Sequence, residues 1–147
     1  MIKPFEYYIK EKLVRRSSTN ISMAKSLLQK AETRLKMINK EKADEENSSL
    51  VFEDVYEVLR EASQSLMELK GFKPYSHEAL VSFLKGYKLL SDEEVNIIDN
   101  YRALRNNSVY RAEKVSLQKC MEALDFANKS LPHISKKVKE IIDRVIK

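Results

Sequence analysis

Ile21, Ala24, Leu28, Ala31, Leu35 and Ile38 follow one another at spacings of 3, 4, 3, 4 and 3 residues, and that rhythm narrows most what this chain can become. Such spacing lines one face of an α-helix with apolar side chains and leaves the other faces to water. It recurs at Val51, Val55, Leu59, Ala62, Leu66 and Leu69, and again at Leu117, Cys120, Leu124, Ala127 and Leu131. A helix with one apolar stripe needs other helices to cover it. Only two glycines and three prolines occur in 147 residues, so little punctuates these runs. The expected fold is all-α: an antiparallel helical bundle of four to five core helices plus terminal helices, in a single domain over residues 1–147. A chain of this length buries roughly two-thirds of the surface its unfolded form exposes.

Local signals set the expected boundaries. Residues 1–16 read as a short basic helix that docks Phe5, Tyr8, Ile9 and Leu13 on the core. Ser17 to Asn20 supply an N-cap for the first long helix. The polar run 41–49 reads as a connection, and the second long helix stops at Gly71, with Pro74 three residues on. These two helices are expected to pack antiparallel. Ser76 would cap a short helix carrying Leu80, Leu84 and Tyr87, and Ser91 with Glu94 forms a capping box for a helix from about residue 92 with Val95, Ile98 and either Tyr101 or Arg102 on one face. Asn106, Asn107 and Ser108 compete for backbone hydrogen bonds, which predicts a break there. Pro132 should open a last basic helix with Ile134, Val138, Ile141 and Val145 inward and Lys136, Lys137, Lys139 and Lys147 outward.

The function classes left open are few. Gly71 and Gly86 stand too far apart for a phosphate-cradling loop. One cysteine and two histidines form no recognisable zinc pattern, and no cofactor is implied. No signal peptide and no apolar run of about 18 residues is visible, so a cytoplasmic protein with no membrane contact is expected. Cys120 lies in an apolar series and reads as core, while His77 and His133 beside helix starts read as capping or packing residues. The net charge of +5 permits an anionic partner. Its distribution says more, because residues 101–119 hold five basic side chains against one acid, and residues 41–61 hold eight acids against two bases.

Within the basic segment Asp99, Arg102 and Arg105 recur at helical spacing, with Tyr101 nearby, Asn106 adjacent and Tyr110 able to turn back past the expected break. Guanidiniums beside amides make a phosphate-binding corner, since each guanidinium donates two parallel hydrogen bonds to phosphate oxygens. Arg102, Arg105, Asn106 and Tyr110 are therefore the candidate phosphate- or RNA-binding residues, with no metal among them.

The succession of an amphipathic helix, SLMELKGFKPYSHEALVSFL, and an acid-capped helix running into YRALRNNSVYRAE resembles the HEPN family of small prokaryotic helical proteins over about residues 18–131. The resemblance implies a bundle that commonly dimerises. It also implies metal-independent RNase activity in the active members, many of which are toxins paired with a nucleotidyltransferase antitoxin. The family signature is an arginine, a polar residue such as asparagine, and a histidine after four to six intervening residues. Arg105 and Asn106 match its first half. Where the histidine belongs the chain has Tyr110, Arg111 and Ala112 counting from Arg105, or Asn107, Ser108 and Val109 counting from Arg102. The residues five to seven before His77 and His133 include no arginine.

That departure bears on chemistry. Metal-independent RNA cleavage needs a base for the 2′-hydroxyl proton, which histidine supplies near neutral pH, whereas an ordinary phenol is ionised only about one part in a thousand at pH 7. Three functions follow as expectations. The first is a HEPN-like homodimer that binds RNA, a nucleotide or a nucleotidyltransferase partner, with RNase activity lost or weak. The second is an active endoribonuclease with Arg105 and Tyr110 as catalytic residues. The third is a non-catalytic structural dimer.

Overall fold

The computed structural model describes residues 2–146; Met1 and Lys147 lie outside the described residues. Among the described residues six helices and two short strands follow one another as α1 (Phe5–Lys10), β1 (Val14–Arg16), α2 (Ile21–Lys40), α3 (Ser48–Leu69), β2 (Phe72–Pro74), α4 (His77–Tyr87), α5 (Asp92–Arg111) and α6 (Leu117–Ile146). One hydrophobic cluster draws side chains from all six helices. The all-α bundle expected from the spacing is the fold observed.

The capping signals act where the sequence places them. The Asn20 side chain accepts from the Met23 amide at 2.9 Å and opens α2. Ser76 accepts from Ala79 at 3.1 Å, and Ser91 and Glu94 close a reciprocal box at the start of α5. The stripe Ala24, Leu28, Ala31, Leu35 and Ile38 of α2 is buried against α3. The two run antiparallel: Thr19 meets Leu69, Ala24 meets Ser65, and Arg34 meets Glu61 and Asp54. α6 returns along α2, with Asn39 bonded to Asn128 and Glu32 to Ser135.

α3 is more enclosed than its stripe suggests. Besides the expected apolar residues, Phe52, Tyr56, Ser63, Ser65, Glu61 and Glu68 are buried, because α2, α4, α5 and α6 all pack around it. Its buried polar groups take partners from surrounding segments, except the Ser63 hydroxyl, which has none among the described residues. Arg34 grips Glu61 through Nε at 2.9 Å, Lys73 holds Glu68 at 2.7 Å, and the Ser65 hydroxyl donates to the Ala24 carbonyl at 2.7 Å.

Four expectations are corrected. The N-terminal helix ends at Lys10, and residues 14–16 instead pair antiparallel with β2 in the register Val14 to Pro74, Arg15 to Lys73 and Arg16 to Phe72. Val14 is buried there and Leu13 is exposed. This pairing joins segments far apart in sequence, so local periodicity does not reveal it. The break at Asn106–Ser108 is absent, since α5 runs on to Arg111. The Ser108 hydroxyl donates to Glu53 on α3 at 2.7 Å, and the amides of Ala112 and Glu113 both donate to the Asn107 carbonyl. Pro132 does not open a helix but lies inside the 30-residue α6, where buried Leu131 and Ile134 on either side hold the helix against the core. Val145 is exposed, and Ile142 is fully buried beside Ile141, which packs partly buried against the core as expected.

Gly71 joins α3 to β2 and so fixes where α4 begins. Its φ is +81°, and a Cβ there would lie 2.6 Å from the Ser17 carbonyl oxygen. The Ser17 amide donates to the Gly71 carbonyl at 2.7 Å, so this contact cannot open without loss. Gly71→Ala is expected to lower stability by about 1–3 kcal/mol. Gly86→Ala, in open space near the end of α4, should be neutral or stabilising by up to about 1 kcal/mol. Denaturant unfolding of the two variants checks this opposition.

Candidate functional site

Three helices meet at one corner, two of them bringing cations. α3 contributes Tyr56, Glu57 and Arg60, the first turn of α4 contributes His77 and Glu78, and α5 contributes Asp99, Arg102, Arg105 and Asn106. Tyr56 is fully buried, and its hydroxyl lies 2.8 Å from Nδ1 of His77, with the two rings stacked at 5.7 Å. The Arg105 guanidinium sits 6.0 Å from the centre of the Tyr56 ring and 5.7 Å from that of Tyr110.

The three arginines are not equivalent. Arg60 forks onto Glu57, with its closest contact at 2.8 Å, and donates to Gln64. Arg102 donates to Asp99 at 2.8 Å and lies 3.7 Å from Glu78. Arg105 has only the Asn106 side-chain oxygen, at 3.3 Å, and among the described residues it makes no salt bridge. It is held in place by rings rather than by an anion, and it is partly exposed.

Electrostatics at this corner favour neutral groups beside fixed cations. Burial pushes the Tyr56 phenol up to about 12, against the pull of Arg102 and Arg105. Burial, reinforced by Arg105 and Arg60, holds His77 below its ordinary value, with Glu57 opposing. When the phenol donates to Nδ1, the ring hydrogen sits on Nε2. A cavity of about 180 Å³ opens here, lined by Arg60, Gln64, Tyr75, Ser76 and His77. Among the described residues no group of three metal-ligating side chains lies together.

The sequence-derived set is thus partly gathered. Arg102, Arg105 and Asn106 share the corner, although Arg102 is occupied by carboxylates. Tyr110 reaches Arg105 without any bend in α5 and is 74% exposed. Tyr101 belongs to the core, edge-on to Phe52 and Phe126. Sequence reasoning missed Tyr56, Arg60 and Tyr75, and it assigned His77 to capping or packing. Ser76 performs the capping, and His77 faces Tyr56 from a helix start 28 residues before Arg105. No spacing rule links those positions; only the docking of α4 on α3 does. A larger hollow of about 940 Å³ between α2 and α6 alternates lysines with Glu32, Glu140 and Asp143, and so lacks a uniform field.

Comparison with known proteins gives no match to any family model, to any curated protein or to any solved structure.

His77 gives the corner a pH signature. Because its folded value lies below the ordinary 6.5, the unfolded chain binds the proton more readily, so stability falls as pH drops below about 6.5. Unfolding measured between about pH 7.5 and pH 5.5 should show this loss in the wild type and a flatter profile in His77→Gln. Parallel profiles would contradict it.

Proposed function

We propose that the α3–α4–α5 corner binds a phosphate group of RNA or of a nucleotide. The observation that carries this reading is Arg105: a partly buried guanidinium, fixed between two aromatic rings, without a carboxylate to neutralise it. A charge held this way keeps its donors free for an incoming anion and loses little rotamer freedom on binding. Arg60 and Arg102 add field, while Glu57 and Asp99 hold them in position. The HEPN resemblance supports the same reading, and with it a cytoplasmic homodimer and a nucleotidyltransferase partner.

His77 favours a second reading, a metal-independent endoribonuclease. In the tautomer whose Nδ1–H donates to the Tyr56 oxygen, Nε2 of the neutral imidazole is the proton acceptor that the sequence motif lacks, and it replaces Tyr110 in that role because His77 lies at the cavity. One experiment with a short RNA in EDTA separates the two readings. Binding without cleavage, weakened about 10-fold or more in Arg105→Ala with a smaller salt dependence, supports the binding protein. Cleavage lost in both Arg105→Ala and His77→Gln but kept in Tyr110→Phe supports the enzyme. No binding by the wild type contradicts both.

A further inference from the structure

The cavity beside His77 is small. Pockets that enclose a drug-sized ligand occupy about 300–1,000 Å³, whereas this one holds about 180 Å³. It accommodates a phosphate and leaves a nucleobase outside. What lies outside is aromatic. Tyr75, 61% exposed, lines the cavity at the β2–α4 junction, and Tyr110, 74% exposed, stands over Arg105 at the end of α5. Neither hydroxyl has a hydrogen-bond partner among the described residues, so neither ring is held at the surface by its polar end. Between them run His77, Tyr56 and Arg105, each neighbouring pair of groups within 6.0 Å.

We infer that the ligand of this corner is a single-stranded polynucleotide, with backbone phosphates at Arg105 and at the cavity beside His77 and bases stacked on Tyr75 and Tyr110. This rests on the phosphate-binding reading. Cations interleaved with exposed rings suit unpaired strands, because every base offers a π-face and stacking needs no particular sequence. A duplex hides those faces within its own stack, and a mononucleotide has one base for two platforms. RNA and single-stranded DNA share this chemistry.

The test is fluorescence anisotropy with a labelled oligouridylate of about ten nucleotides, an oligodeoxythymidylate of equal length and an RNA duplex. Tyr75→Ala and Tyr110→Ala should each weaken single-strand binding about five-fold or more, the corresponding phenylalanine variants should stay within about two-fold, and the duplex should bind more weakly and ignore both tyrosines. Tighter binding of RNA than of DNA would add a 2′-hydroxyl contact, and equal binding would place recognition on backbone and bases alone; both outcomes fit the inference. Duplex affinity equal to that of the single strand, or alanine variants that bind normally, would overturn it. Arg105→Ala separates the failures: if it weakens binding while the tyrosines do not, stacking alone is wrong, and if it too has no effect, the phosphate reading falls as well.

Discussion

The enclosure of α3 is the constraint on which the rest of this molecule depends. Four other helices pack on α3 and leave Glu61 and Glu68 buried and Glu53 partly buried, and a buried carboxylate without partners would cost several kcal/mol. Three surrounding segments answer with donors: Arg34 from α2, Ser108 from α5 and Lys73 from β2. These bonds fix how the surrounding elements sit on α3. The Ser108 bond in particular keeps α5 straight through three weak helix formers and so sets the height of Arg105 beside Tyr56. A polar requirement inside one helix thereby becomes a positional device for a site at its flank.

At that flank the same logic produces an imbalance. Gathering three guanidiniums is unfavourable unless acids or aromatic faces offset their repulsion. Glu57 and Asp99 neutralise two of them, and the third has rings and the neutral Asn106 amide oxygen but no carboxylate. Burial keeps His77 and Tyr56 uncharged, with Arg105 and Arg60 reinforcing it at His77 and the arginines opposing it at Tyr56, so both are hydrogen-bonding groups at neutral pH rather than ions. Such a corner receives an anion without first breaking a salt bridge. Under the proposed reading a neutral imidazole joins the phosphate-binding cations at this corner, so binding and proton transfer would draw on the same arrangement.

Much of the fold was legible because it is local. Asn20, Ser76 and the Ser91–Glu94 box act on amides within three residues, and the stripes of α2 and α3 need only a period of 3.6. What could not be read was set at a distance. The β1–β2 pairing, the intact helix through Asn106 and the continuity of α6 past Pro132 each follow from contacts between remote segments. The site divided along the same line. Arg102, Arg105 and Asn106 lie on one helix and announce themselves by spacing, whereas His77 and Arg60 join them only once α3, α4 and α5 have docked. A motif search along the chain finds no histidine for Arg105, yet the packed molecule brings one to the same aromatic ring.

That convergence can be measured directly by following the His77 imidazole through a pH titration by NMR, in the wild type and in Arg105→Gln. If the guanidinium stands where the structure puts it, the wild-type midpoint lies below the ordinary histidine value and removal of the charge moves it upward, part of the way only, since burial remains the larger cause. A midpoint indifferent to the substitution would mean that Arg105 and His77 do not share a site, and the account built on their meeting would be wrong.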